Sequence, residues 1–244
     1  MSRRHSILAL VLLIPACKTA APPPAASPGT ALAQRTAAAP ESIRWITSSA
    51  EYVAATLQTY RAATSRVEQE GSKRPAGTWA VVLDADETII SNVGYQAERA
   101  SQGLGYSADS WNTWVRRREA TPIAGAAAFL ARVRQLGGRI AIVTNRLVSE
   151  CDDTMAVFRA HALVFDAMLC RPDGTPGDKN PRFEAVARGA SPAGSTPLEI
   201  VAFVGDNILD FPQLSQSIRT QPEALREFGV RYFMVPNPMY GSWQ

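Results

Sequence analysis

Apolar runs of four to eight residues recur along the chain, and each ends in polar residues. They begin at Ala80 (AVVL) and continue at Arg139–Val143 (RIAIV), Leu163–Cys170, Glu199–Val204 (EIVAFV) and Val230–Val235. Continuous runs of this length, rich in Val, Ile and Leu, predict strands buried on both faces. Between them the period changes to that of helices. Ser48-x-x-Glu51 is a capping box, followed by an apolar face of Val53, Leu57, Tyr60 and Val67, so residues 41–70 predict one or two helices. Asp109 or Ser110 can cap a helix on which Trp111, Trp114 and Val115 share a face. Thr121-Pro122 reads as an N-cap with Pro at N1, for a helix carrying Phe129, Leu130, Val133 and Leu136 and closed by Gly137. Further helices are predicted up to about Ala160, from Lys179-Asn180-Pro181 onward, and over Ala224–Phe228. Strands alternating with helices predict an α/β fold, a parallel sheet with helices on both faces. N-terminal helices and a small helical cap insertion at about residues 91–121 complete it.

Parallel strands place their carboxyl ends on one edge, where open α/β sheets bind ligands. Asp84 and Asp86 follow the first strand, Thr144-Asn145-Arg146 the second, and Gly205-Asp206-Asn207 the fourth. Acidic side chains therefore gather where chemistry is usually done.

The 244 residues are 46% hydrophobic, enough for one domain with a sizeable core. The formal charge is +3, but without Arg3 and Arg4 only 23 basic residues face 22 acidic ones. Such a balance gives no support for a nucleic-acid partner. Histidine is confined to His5 and His161, which removes HExxH zinc chemistry and phosphohistidine catalysis. Acid–base work falls to carboxylates. GxxxxGK[ST] and GxGxxG phosphate loops are absent.

Residues 1–16 have a basic start and an apolar stretch from Ile7 to Ile14, too short to span a bilayer, and predict an export signal. Ile14-Pro15-Ala16-Cys17 resembles a bacterial lipoprotein cleavage site, which would make Cys17 the lipidated N-terminus. Residues 17–40 are Ala/Pro-rich and predict a tether, ahead of a folded domain over 41–244. Cys151 and Cys170 could pair in an oxidising compartment, but two separate thiols are the expected state.

Asp84, Asp206 and Asp210 are hard oxygen donors suited to Mg²⁺. Carboxylates with a lysine and a hydroxyl form a phosphoryl-transfer set, and an aspartate can itself be the nucleophile. Asp86, if protonated, could donate to a leaving oxygen. The order Asp84-x-Asp86-x-Thr88, Thr144, Lys179, Gly205-Asp206 with Asp210 resembles that of the haloacid dehalogenase-like (HAD-like) hydrolases. Trp45, Asn92-x-x-Tyr95, Thr144-Asn145-Arg146 and Pro236-Asn237 with Tyr240-Gly241 and Trp243 look like their class C acid phosphatases. Those are bacterial lipoproteins acting on nucleoside monophosphates and other phosphomonoesters.

That resemblance, spanning roughly residues 43–243, implies a HAD-like core and a Mg²⁺ cofactor. Asp84 becomes nucleophile and metal ligand, and Asp86 the acid/base with a metal-binding carbonyl. Asp206 becomes a ligand, and Asp210 acts through a metal-bound water. Thr144, Asn145 and Lys179 would hold phosphate, and Arg182 would orient Lys179 or Asp206. Tyr95, Trp111, Trp114 and Tyr240 could form a stacking slot for a base. The resemblance also implies an exported bacterial protein, lipid-anchored through Cys17 on the outer-membrane or periplasmic side, and hints at a homodimer. The competing reading is a non-catalytic binding lipoprotein on the same fold, against which the intact Asp84 argues.

Overall fold

Every residue of the first apolar run is buried, and the run forms the middle of the sheet. The computed structural model describes residues 39–189 and 196–244. The expected signal segment, Cys17 and the expected tether up to residue 38 lie outside the described residues. In chain order the strands are β1 (Trp79–Leu83), β2 (Ile90–Ser91), β3 (Thr121–Pro122), β4 (Arg139–Leu147), β5 (Ala167–Arg171), β6 (Glu199–Gly205) and β7 (Tyr232–Met234). The α-helices are α1 (Glu41–Ser48), α2 (Ala50–Gly71), α3 (Val93–Ser101), α4 (Ala108–Arg117), α5 (Ala126–Gln135), α6 (Cys151–Ala160) and α7 (Asn180–Ala187). The main sheet is five-stranded in the order β5-β4-β1-β6-β7, and every pairing in it is parallel.

Alternation along β1 explains why both faces need apolar residues. Trp79, Val81 and Leu83 pack with Tyr60, Val67, Phe129 and Leu130 of α2 and α5 on one face. Ala80 and Val82 pack with Phe183 and Val186 of α7 and Phe203 of β6 on the other. The α/β reading therefore holds, with helices covering each side. Close approach shapes this core at Gly138, where an added Cβ would lie 2.4 Å from the Trp79 ring. Among the described residues no helix is long and apolar enough to cross a membrane.

Local boundaries moved where tertiary pairing outcompeted local signals. The N-terminal helical segment is two helices, broken at Ser49, whose hydroxyl accepts from the Tyr52 N–H at 3.1 Å and caps α2. Thr121-Pro122 does not start a helix. It pairs antiparallel with Ile90–Ser91, and α5 begins only after Gly125, whose φ of 91° a side chain would strain. Between these paired segments stand α3 and α4, and the cap of α4 is Ser107 rather than Asp109 or Ser110. The third strand is shorter than its apolar run because Asp166 turns back, its carboxylate accepting from the Ile140 N–H at 2.8 Å. Ala224–Phe228 is not an α-helix; a 3₁₀ turn occupies Pro222–Leu225.

The cysteines correct the expectation of separate thiols. Cys151, at the start of α6, and Cys170, in β5, form a disulfide with Cα atoms 6.1 Å apart. β4 leads into the 3₁₀ turn before α6 and also pairs with β5, which brings the two positions together.

Candidate active site

The carboxyl ends of β1, β4 and β6 bring the acidic motifs together. Asp84, Asp206 and Asp210 each offer an oxygen within 4.8 Å of the others. Lys179, the residue immediately before α7, reaches in from the side. Its Nζ donates to Asp84 Oδ1 and to Asp210 Oδ1, both at 2.6 Å, and only 4% of the side chain is exposed. Asp210 is placed by a 3₁₀ turn (Ile208–Asp210), where its Oδ2 accepts from the Asn207 N–H at 2.9 Å. Gly205 leaves the room this needs, since a Cβ there would meet Asp210 Cβ at 2.3 Å. Asp206 is held at both oxygens, by Thr88 Oγ1 at 3.1 Å and Asn237 Nδ2 at 2.9 Å. Thr88 is itself fixed by its carbonyl, which accepts from Tyr60 OH at 2.6 Å.

Burial and the crowding of like charges raise Asp84 and Asp206. Burial, reinforced by Asp210 and Asp86 and opposed by Lys179, pushes Asp84 up to about 7. Burial, then Asp210 and Asp84, push Asp206 well above the ordinary carboxylate range. Burial disfavours the Lys179 charge, but Asp210 and Asp84 more than offset it and hold the ammonium above its ordinary value. Three convergent hard oxygens whose charge is only partly balanced suit a small divalent cation with ligand distances of about 2.1 Å. The donor set therefore fits Mg²⁺.

Asp86 has a different setting, although it is only two residues from Asp84. Its Oδ1 accepts from Asn92 Nδ2 at 2.7 Å, Arg146 Nη2 at 2.8 Å and Arg146 Nε at 3.0 Å, while Oδ2 receives only Nε at 3.2 Å. Its carboxylate thus stands outside the three-carboxylate cluster. Next to it Glu87 adopts a left-handed backbone, φ 51°, which costs on the order of 1 kcal/mol or more in a non-glycine residue. The Glu87 carboxylate accepts from the Asn92 N–H at 2.6 Å and from Tyr240 OH. These bonds close the tight turn from Asp84 to Asn92. Burial, with Asp86 beside it, pushes Glu87 up to about 8 against the donors from Asn92.

Thr144 reaches the same sheet edge fully buried, its hydroxyl accepting from the Arg146 N–H at 3.1 Å. Asn145 has both amide ends engaged, Nδ2 with Gly177 O at 2.9 Å and Oδ1 with Arg182 Nη2 at 2.6 Å. Arg182 also donates to Thr144 O. Its guanidinium therefore ties the Thr144 strand end to the helix that follows Lys179, and makes no hydrogen bond to the Lys179 or Asp206 side chain. The aromatic residues separate into two kinds. Tyr95 is 1% exposed and Trp114 4%, and their faces are spent on packing, which corrects the four-ring slot expected from the sequence. Trp111 and Tyr240 remain half-buried.

Sequence reasoning gave no role to Arg146, Asn92, Glu87 or Asn237, all of which carry contacts here. Each sits within a segment noted for its resemblance, or beside one. A charge that is buried looks the same in sequence as one in a solvated turn, so their contacts had no separate signal.

Comparison with known proteins agrees with this arrangement. Residues 25–243 match the family described as HAD superfamily, subfamily IIIB (acid phosphatase). Two solved structures of the class C acid phosphatase from Bacillus anthracis are similar. The one with tungstate bound is 26% identical, with a TM-score of 0.73, covering 83% of this chain and 85% of that one. The other is 27% identical, with a TM-score of 0.72 and the same coverage. With a matched span of nearly the whole chain, and the aspartates of its motifs gathered at one sheet edge, the chain belongs to subfamily IIIB of the HAD superfamily, the acid phosphatases, which are phosphomonoester hydrolases.

Proposed function

We propose that the protein is a Mg²⁺-dependent acid phosphatase of phosphomonoesters, nucleoside 5′-monophosphates among them, working through an aspartyl-phosphate on Asp84. The observation that carries this is the convergence of Asp84, Asp206 and Asp210 around one point beside Lys179. Asp84, Asp206 and Asp210, with the Asp86 carbonyl, would hold the ion, which supplies positive charge to offset an anionic nucleophile facing an anionic phosphate. The Asp84 carboxylate attacks phosphorus, and the bond from phosphorus to the ester oxygen breaks. Asp86 gives its proton to the departing oxygen. Water then attacks phosphorus, Asp86 takes a proton from it, and the bond to Asp84 breaks to release phosphate. Thr144, Asn145 and Lys179 bind the phosphoryl oxygens, Lys179 through its remaining N–H and Asn145 through its backbone. Trp111 and Tyr240 offer ring surface for a base.

The same reading takes residues 1–16 as an export signal, Cys17 as a lipid anchor and 17–40 as a tether. The catalytic domain, 41–244, then lies outside the cytoplasm. A disulfide at Cys151–Cys170 supports an oxidising compartment. The test is a panel of phosphomonoesters, with a nucleoside monophosphate beside a small aryl phosphate, assayed with chelator and with Mg²⁺ restored. Turnover is expected only with metal, and Asp84→Asn is expected to abolish it while the fold remains. An Asp84→Asn protein as active as the parent removes the proposal.

A further inference from the structure

Arg146 is 3% exposed, and every arm of its guanidinium is engaged. Nη1 donates to Thr154 Oγ1 of α6 at 3.0 Å, and Nη2 donates to Asn92 Oδ1 at 3.0 Å as well as to Asp86 Oδ1. Its guanidinium carbon lies over the Trp111 ring, 5.2 Å from the centroid. Asn92, fully buried, is equally committed: its Oδ1 also accepts from Trp114 Nε1 at 2.8 Å, and its Nδ2 serves Asp86 and Glu87. The result is a cage of fixed donors around one oxygen of Asp86. Oδ1 takes three donors, and Oδ2, which shares only the Arg146 Nε–H at 3.2 Å, is the oxygen left for proton exchange.

A cage of this kind is costly as packing alone. A buried ion pair is often replaceable by apolar residues without loss of stability, so its stabilising value does not explain it. A bidentate fork does fix the orientation of a carboxylate, which a proton donor requires. Two of the groups that build the cage, Trp111 and Trp114, come from α4 in the segment between β2 and β3. That segment thereby takes part in aiming the acid.

We propose that Arg146 is a positioning residue: with Asn92 and the α4 tryptophans it turns Asp86 so that Oδ2 delivers the proton to the departing ester oxygen. The inference rests on the phosphatase reading and concerns only the first half-reaction. There the bond from Asp84 to phosphorus forms, the bond from phosphorus to the ester oxygen breaks, and the proton passes from Asp86 to that oxygen.

The consequence is a dependence on the leaving group. p-Nitrophenolate departs without a proton, whereas the alkoxide of glycerol 3-phosphate needs one. kcat/KM reports steps up to the phosphoryl-enzyme, so it isolates the donor role from the later activation of water. In Arg146→Lys the charge stays but the fork is lost. kcat/KM for glycerol 3-phosphate is expected to fall about 100-fold further than for p-nitrophenyl phosphate, the scale of a lost general acid. Thr154→Val, which removes the outer support of Nη1 together with the Thr154 hydroxyl's bond to the Glu150 carbonyl, is expected to shift the same ratio in the same direction by about 10-fold. It decides the matter if Arg146→Lys does not fold. Equal losses on both esters in the folded variants would show a structural role and overturn the inference. A parent protein that hydrolyses neither ester would remove the phosphatase reading beneath it, which is a separate outcome.

Discussion

Lys179→Met keeps the aliphatic stem and removes one positive charge from the centre of the acidic cluster. The ammonium lies 2.6 Å from both Asp84 and Asp210 and is nearly inaccessible to water. Breaking a buried pair by deleting one partner costs about 3–5 kcal/mol, mostly because the other charge is left uncompensated. That cost has an escape, since Asp84 can take up a proton. Asp84 sits at about 7 even with the lysine present, and its removal drives the group higher. A carboxyl raised in the folded state contributes stability at low pH that is lost as pH rises through its folded value. The variant is therefore expected to lose about 3–5 kcal/mol at pH 7.5, on the order of 10 °C in Tm for a chain of this size. At pH 5 the loss shrinks to about 1–2 kcal/mol, the worth of the missing hydrogen bonds. Urea unfolding at both pH values in the presence of chelator measures this, and Mg²⁺ added afterwards is expected to stabilise the variant more than the parent. Equal losses at the two pH values would refute the electrostatic account and leave packing of the stem as the cause.

Gly205→Ala places a methyl against Asp210, so activity is expected to collapse with an overpacking cost of about 1–3 kcal/mol; full turnover would show that Asp210 has room to move. Glu87→Gln fixes a neutral side chain at a position pushed up to about 8. The parent is expected to lose stability between roughly pH 4.5 and 8 through this group while the variant does not, so parallel melting curves across that range would count against it. Cys151→Ser/Cys170→Ser opens a loop whose ends are 19 residues apart, and chain entropy sets the loss near 3 kcal/mol; urea midpoints unchanged by the double substitution would refute that value.

The legibility of this chain follows the range of the interactions. β1 and the strand ends could be read because a doubly buried strand is a continuous apolar run, and polar residues end it. Asp84 and Asp206 followed from that, because parallel strands put their carboxyl ends on one edge, whereas Lys179, at a helix start, was marked only by the motif order of the family the chain resembles. Thr121-Pro122 carried a genuine helix-start signal, but pairing with Ile90–Ser91 used the same residues. Trp111 and Trp114 share a helix, and spacing alone does not say that one stays half-open while the other donates to Asn92. The disulfide joins elements brought together by sheet pairing, a relation that neither cysteine's neighbours encode.

Charge arithmetic at the sheet edge connects these details. Asp84, Asp86, Glu87, Asp206 and Asp210 gather around Lys179 and Arg146, five carboxyl groups to two cations in direct contact. A phosphomonoester adds further negative charge. Protons could relieve the excess, but in the proposed mechanism a protonated Asp84 cannot attack phosphorus, so relief by protons alone would stop the reaction. A divalent cation relieves it while leaving Asp84 ionised, and it does so without disturbing Asp86, whose own cation comes from another strand. Each aspartate of the pair thus meets a different cation, Asp84 meeting Lys179, which it shares with Asp210, and Asp86 meeting Arg146. Two side chains of the same chemistry, separated by one residue, stand in different electrostatic settings because the fold delivers a different cation to each, which is what the proposed division into nucleophile and acid requires.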